Sequence, residues 1–364
     1  MASVSTGKID VNEAVENGRY PFFTCSREAY CIDEAPYEGK AVLVAGNGDL
    51  NVKYYEGRFN AYQRTYFLFS RNEEILEPRF LYYFLKSHLA TLRAGASGST
   101  IKYIKVGDLK DAQIPLPPLD EQHRIVAKLD EAFAEINELQ ESAKLRDFQN
   151  QSLRVVALGK LVADARLIAP ERTLGSFLEI ARGGSPRPIK SFLTDDPDGI
   201  NWIKIGDATA STKYIYKTEQ RITADGVSRS RMVHDGDFLL SNSMSFGRPY
   251  IMRTDGCIHD GWLVLKQLKE EFDPDYLYFA LSSDYVFHQF DSRAAGSTVR
   301  NLNIGLVSSV SIPFPDIETQ RKLAERMVEV DSAFGSLGDI EVKRASQLER
   351  LRTSVLSATL STVR

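Results

Sequence analysis

Two stretches of this chain repeat apolar residues at steps of three and four over about 35 to 40 positions. In the first, Val126, Leu129, Phe133, Ile136, Leu139 and Ala143 lead on to Phe148, Leu153 and Val156. In the second, Leu323, Met327, Val330, Phe334 and Leu337 lead on to Leu348, Leu351 and Val355. A stripe this narrow, flanked by charge, fits a seam packed against another helix rather than a helix sunk in a core. The pattern predicts two helices, each about 50 to 60 Å long at 1.5 Å rise per residue. They should pack antiparallel, with Leu129, Phe133, Ile136, Met327, Val330, Phe334 and Leu337 in the contact.

Each helical stretch is introduced by nearly the same words, "IPLPPLDEQHRIVAKLDEAF" from Ile114 and "IPFPDIETQRKLAERMVEVDSAF" from Ile312. The prolines can neither continue a sheet nor enter a helix interior, so they form a stiff, extended exit from whatever precedes them. Asp120 and Glu121, and Asp316 and Glu318, then occupy the first turn, where carboxylates suit the helix dipole. The match extends upstream without a gap: "GSTIKYIKVGDLKDAQIPLP" (Gly98 to Pro117) lies over "GSTVRNLNIGLVSSVSIPFP" (Gly296 to Pro315). "EPRFLYYFLKS" answers "DPDYLYFALSS", and Gly39 to Leu68 runs against Gly236 to Leu265 in weaker form. The chain is therefore a tandem duplication.

Within each copy, short β-rich runs such as "YPFFTC", "KAVLVAG" and "RTYFLF", or "INWIKIGD", "DGDFLLS" and "WLVLKQL", alternate with Gly, Asn and Asp turns. One amphipathic helix follows in each, "PRFLYYFLKSHLATLRA" and "PDYLYFALSSDYVFHQFDS", with Pro in the first turn. The expected fold is mixed α/β: two globular domains, 1–117 and 169–315, joined by two long antiparallel helices, 118–168 and 316–364, in a pseudo-two-fold tandem repeat. The second domain opens with "TLGSFLEIARGG", for which "MASVSTGKID" supplies no evident counterpart. The leading element of the first domain is expected to be missing, through a truncated start or closure by the C-terminal "TSVLSATLSTVR".

With 43% hydrophobic and 26% charged residues, the 364-residue chain has enough apolar material for two ordinary cores. No run approaches a membrane span, and the N-terminus lacks the blocks of a signal peptide, which points to the cytoplasm. Cys25, Cys31 and Cys257 cannot build a disulfide framework, and Cys257 with His259 lacks the second ligand pair that a metal site requires. No phosphate-binding loop, HExxH, GxSxG or supported carboxylate pair is present, and the five histidines are scattered. This is the composition of a binder, with no cofactor or metal of its own.

A duplicated binder suits a ligand that repeats at a fixed spacing, and DNA is the plainest example. The net charge of −4 argues against indiscriminate attraction to nucleic acid, so positive charge must be gathered locally or lent by a partner. "NAYQRTY" lies over "CIHDGWL", and Gln63 and Arg64 are set against His259 and Asp260 as positions of differing chemistry on a shared frame. Arg reads guanine, Gln reads adenine and Asp accepts from the cytosine amino group, so such a change would alter the preferred base. Lys53, Tyr54, Tyr62, Lys204 and Arg248 lie near these turns in sequence. "ARGGSPRPIK", with Arg187 and Lys190, is a basic loop able to follow phosphates, and Lys102 and Arg300 are paired backbone anchors beside the Gly-Ser-Thr repeats. Any of these is equally readable as solvated surface charge.

The chain resembles the specificity subunits of type I restriction–modification systems over nearly its whole length. "ENGRYPFFTCS", "GNGDLNVKYYEGRFNAYQRTY", "SFGRPYIMRTDGCIHDGWLVL", "GSTIKYI" and the twice-written proline–helix motif carry the likeness. The resemblance implies two target recognition domains that each read half of a split double-stranded DNA site. It also implies long helices that set the spacer and dock two methyltransferase subunits, with restriction subunits joining that core. Catalysis and S-adenosylmethionine would belong to the modification partner, and no NPPF- or DPPY-type motif occurs here. The alternative is a coiled-coil scaffold that joins two protein partners without touching DNA.

Overall fold

The computed structural model describes residues 1–96, 102–209, 212–242, 246–268, 272–294 and 301–363. It divides into two compact units: Met1–Leu145 with Glu341–Arg364, and Arg146–Ile340. No described helix is long and apolar enough to cross a membrane.

The first unit runs β1 (Ala2–Thr6), β2 (Tyr20–Phe23), β3 (Tyr30–Ile32), β4 (Tyr37–Ala45), β5 (Val52–Ala61), β6 (Thr65–Ser70), α1 (Pro78–Gly95), α2 (Val106–Lys110) and the first part of α3 (Leu119–Ile168). Its strands form one sheet in the order β1-β6-β4-β5-β2-β3. Alternation in β4 divides the core between the two faces of that sheet. Val42 and Val44 join Leu68 and the apolar face of α1 in one cluster, whereas Ala41 and Leu43 join Phe59 and Phe67 in another.

The second unit holds the end of α3, then β7 (Glu171–Thr173), β8 (Leu178–Arg182), β9 (Leu193–Thr194), β10 (Ile200–Ile203), α4 (Ile205–Thr209), β11 (Tyr214–Ile215), β12 (Gln220–Ile222), α5 (Ala224–Val227) and β13 (Arg231–Val233). It continues with β14 (Phe238–Ser241), β15 (Pro249–Met252), β16 (Gly256–Ile258), β17 (Trp262–Gln267), α6 (Pro274–Leu281), α7 (Asp284–Ala294), α8 (Ile304–Ser309), β18 (Ser311–Pro313) and the start of α9 (Ile317–Ser361). Its main sheets are β13-β16-β10-β12-β9 and β11-β15-β14-β17-β8. The ten residues of β5 cross from β4 to β2 without a break, which fuses the equivalent strands of the first unit into one sheet. In the second unit the turn at Arg253–Asp255 splits that element into β15 and β16, so two sheets result.

The fold corrects three expectations. The leading strand of the first unit is present: β1 pairs with β6, Val4 opposite Leu68, as β8 pairs with β17, Ile180 opposite Leu265. The helix expected over residues 274–292 is two helices. The hydroxyls of Ser282 and Ser283 turn back to the carbonyls of Tyr278 and Ala280 at 2.8 and 2.6 Å, and Val286 restarts the ladder from Ser283. The seam of the long helices is also discontinuous. Leu129, Phe133 and Ile136 are buried in the core of the first unit and Met327 in that of the second, with Val330 packed against it. Phe334 is half-buried, whereas Leu337 is 41% exposed, Leu139 50% and Phe148 68%.

The reason is that these helices pack on globular elements as well as on each other. The Phe133 ring meets Tyr83 of α1 edge-on at 5.5 Å, while Arg352 of α9 covers the ring at 4.9 Å. In the first unit α3 and α9 run antiparallel, with Gln140 donating to Glu349 at 2.6 Å and Arg352 donating to Asn137. In the second unit Arg154 of α3 donates to Asp331 of α9 at 2.6 Å. With 50 and 45 residues, α3 and α9 are about 75 and 68 Å long, longer than their apolar stripes indicate.

Candidate nucleic-acid interface

In the first unit, β5 ends in a turn, Tyr62–Arg64, that returns the chain into β6. The carbonyl of Arg64 accepts the N–H of Gly46 at 2.9 Å, the carbonyl of Gly46 accepts that of Ile104 at 3.0 Å, and Gly48 donates to the Lys102 carbonyl at 3.1 Å. These bonds bring Gln63, Arg64 and Tyr66 to Tyr103 and Lys105 around a cleft of 410 Å³, with the exposed Lys102 beside it. Gly7 completes the platform from the other side. A Cβ there would lie 1.8 Å from the Ala61 carbonyl oxygen, so only glycine lets the chain after β1 lie on the turn. Gln63 then donates its backbone N–H to Ile9 at 3.0 Å and its amide to Asp10 at 3.2 Å. Asp10, not among the residues singled out from the sequence, is thus brought to the turn by its bond to Gln63; the glycine that follows β1 was the available signal.

The second unit repeats this frame with other side chains. Asn242 donates to the Gly261 carbonyl at 3.0 Å, and Leu302 donates to the Asn242 carbonyl at 2.9 Å. These bonds match Gly46 to Arg64 and Ile104 to Gly46, so Tyr62 corresponds to His259, Gln63 to Asp260 and Arg64 to Gly261. The pairing of Gln63 and Arg64 with His259 and Asp260 is thereby corrected by one residue. Gly183 takes the part of Gly7: a Cβ there would lie 2.1 Å from the His259 carbonyl oxygen. Gly183 and Gly184 donate to the carbonyls of Trp262 and Ile258 at 3.0 and 3.2 Å, fastening the basic loop onto the turn.

Asp260 organises that loop. Its carboxylate accepts the Ser185 hydroxyl at 2.7 Å and pairs with Arg187 at 3.6 Å, and its carbonyl accepts Arg182 at 3.0 Å and Asn242 at 2.8 Å. The Ser185 hydrogen bond, more than the nearby charges, holds the carboxyl below its ordinary range. Burial pushes the His259 imidazole down as well. Its Nδ1 accepts the Gly261 N–H at 2.8 Å, which leaves the proton of the neutral ring on Nε2. Arg187, Asp260 and His259 thus form one platform, with Lys190 exposed farther along the loop.

The remaining sequence candidates fall elsewhere. Lys53 turns inward, its amino group 3.4 Å from the Thr24 carbonyl and its pKa lowered by burial. Tyr54 packs on α1 beside Tyr82 and under the Arg79 guanidinium. Lys204 caps α4, donating its N–H to Asp207 at 2.7 Å, and its amino group lies 3.5 Å from Glu219. Arg248 is exposed with its guanidinium 5.3 Å from the Tyr250 ring. Arg300 and both Gly-Ser-Thr repeats lie outside the described residues. Cys257 is buried with its thiol pushed up by desolvation and its sulfur 3.9 Å from that of Met232.

Two units with one hydrogen-bonded frame and two differently furnished platforms, each closed by parts of two long helices, define a tandem-repeat specificity protein. The chain belongs to the type I restriction modification DNA specificity domain family, whose model matches residues 1–147 and 170–349. It is 26% identical to the EcoDI specificity subunit of Escherichia coli, over 96% of this chain and 83% of that one. It is 21% identical to the MjaVIII specificity subunit of Methanocaldococcus jannaschii, over 96% and 87%. The fold matches a chain solved in work on complex assembly and conformational transition of the type I R-M system, with a TM-score of 0.71, 19% identity and coverage of 99% and 97%. It also matches the HsdS subunit of Thermoanaerobacter tengcongensis, with a TM-score of 0.51, 18% identity and coverage of 99% and 96%. The chain is accordingly a specificity component of a restriction–modification system and not its catalytic subunit.

Proposed function

We propose that this protein reads a bipartite double-stranded DNA site in the cytoplasm, one half-site per unit, and docks two methyltransferase subunits that modify it, with restriction subunits joining the complete complex. Residues 1–117 and 169–315 act as the recognition domains, and 118–168 and 316–364 as the helices that fix the spacer. The observation that carries this reading is the repeated frame with unlike contents. Gly46, Arg64 and Ile104, like Asn242, Gly261 and Leu302, hold the same backbone pattern, while Gln63 and Arg64 give way to Asp260 and Gly261. A ligand contacted twice with different sequence on each side demands that arrangement.

The first platform offers Gln63, Arg64, Tyr103 and Lys105 to bases and phosphates, with Lys102 beside them. The second offers Arg187, Lys190, His259 and Asp260. The net charge of −4 favours a subunit that holds DNA firmly only with its partners. Replacing Arg64 by Ala in the assembled methyltransferase should weaken one half-site by about 1 to 3 kcal/mol at a single base pair, the range of a bidentate base contact. Replacing Arg187 should weaken binding evenly across sequences and reduce its salt dependence. Binding by the assembly that ignored both changes would favour a protein scaffold instead.

A further inference from the structure

The repeated motif that opens each long helix contains a glutamine, in "LDEQ" and "IETQ". Gln122 is fully buried and Gln320 is 1% exposed, each in the first turn of its helix. Buried amides at a surface exit call for an explanation, since their polar atoms must be matched inside the protein. The Gln122 carbonyl accepts the N–H of Glu77, the residue that caps α1, at 2.9 Å. Its NH₂ group donates to the carbonyls of Ile75 at 2.8 Å and Pro117 at 2.9 Å. Gln320 does the same in the other unit: it accepts from Asp273, the cap of α6, at 3.0 Å and donates to Pro315 at 2.9 Å.

These bonds tie three elements together at each exit: the cap of the domain helix, the proline segment, and the root of the long helix. The prolines can offer no N–H across this joint. Nearby carbonyls need a donor from elsewhere, and the glutamine side chain provides it. Because α1 and α6 are built into the cores of their units, each glutamine fixes the direction in which its helix leaves.

We infer that Gln122 and Gln320 are positioning residues for spacer selection, which hold the exit angle of each long helix so that only one separation of half-sites is accepted. The inference rests on the bipartite reading above. Its sensitivity follows from lever geometry: a 5° tilt at the root displaces a point about 35 Å along a helix by about 3 Å, close to the rise of one base pair.

The test is methylation mapping in cells that express the whole chain with its methyltransferase, comparing wild type with Gln122→Ala, Gln122→Glu and Gln320→Ala. Glutamate keeps the size of the side chain but, when ionised, has no donor for Ile75 and Pro117. Leu43→Ala, in the sheet core away from the joint, controls for simple destabilisation. The expected result is that the glutamine variants keep both half-site sequences but modify sites whose spacer is one base pair longer or shorter, raising that fraction at least tenfold. Leu43→Ala should only reduce total modification at the original spacing. Variants that lose modification uniformly, as Leu43→Ala does, would overturn the positioning role while leaving bipartite recognition intact. A wild-type protein that directs methylation to no split motif would instead overturn the bipartite reading, and this inference with it.

Discussion

Substituting Gly183 by Ala tests the seating of the basic loop on the His259–Trp262 turn of the second unit. The added methyl group would lie 2.1 Å from the His259 carbonyl oxygen, 2.8 Å from the His259 carbonyl carbon and 2.9 Å from the Ile258 carbonyl oxygen. All three are backbone atoms, so no side chain can swing aside. A carbon–oxygen contact needs more than 3 Å, so the loop must retreat by about 1 Å. That carries the Gly183–Trp262 and Gly184–Ile258 hydrogen bonds, now 3.0 and 3.2 Å, beyond useful range. At roughly 0.5 to 1.5 kcal/mol net for each bond, the loss is about 1 to 3 kcal/mol. For a unit of this size it lowers the unfolding midpoint by about 2 to 12 °C. Calorimetry of the purified chain reads that shift, and methylation of the second half-site should fall with it while the first half-site keeps its base preference. Gly206→Ala, where nothing lies within 4 Å of the new methyl group, is the control. A midpoint for Gly183→Ala within about 1 °C of wild type would refute the argument.

Gly159 and Gly335 sit inside α3 and α9 with open space where a Cβ would go, so Ala at either should stabilise by about 0.5 to 1 kcal/mol; a lower midpoint would show that the small side chain is needed. Because burial holds His259 below its ordinary 6.5, the unfolded chain protonates first. Stability should be level above about pH 6.5 and decline as the pH falls below it, by at most about 1.4 kcal/mol per pH unit. Gln at that position should flatten the decline, seen in denaturant titrations across pH 5 to 8. Tyr276→Phe removes the donor to the Pro313 carbonyl at 2.8 Å in a fully buried site and should cost about 1 to 3 kcal/mol in the same assay.

The duplication was legible because its signals are hard to erase: prolines that stop regular structure, and apolar steps of three and four that must face something. The strands rich in Val, Leu and Phe were legible for the same reason. The elements that escaped reading are those whose stability comes from tertiary context. β1, "ASVST", alternates apolar and polar residues only through Ala2 and Val4, too short and too weakly apolar a signal to stand alone, and it is a strand because β6 lies beside it. β5 carries Lys53, Glu56 and Arg58 along its length, yet β4 pairs with it over eight positions. The Ser282–Ser283 break looks helical in sequence, because serine hydroxyls compete with the backbone only once folded. At the candidate interface, the aligned strings "NAYQRTY" and "CIHDGWL" themselves set Gln63 over Asp260 and Arg64 over Gly261, and the Gly46 and Asn242 hydrogen bonds hold that same register, one residue away from the pairing with His259 and Asp260. Lys53 shows the opposite failure: a basic residue near the turn in sequence whose amino group points into the fold.

The most direct test of bipartite reading by a duplicated specificity protein is long-read mapping of methylated adenine in cells that express the chain with its methyltransferase, against the methyltransferase alone. The account predicts one split motif that appears only with this chain, modified in both halves, whose first half changes preference when Gln63 and Arg64 are replaced. A stable complex that adds no motif, or a motif whose two halves both ignore those replacements, would contradict it.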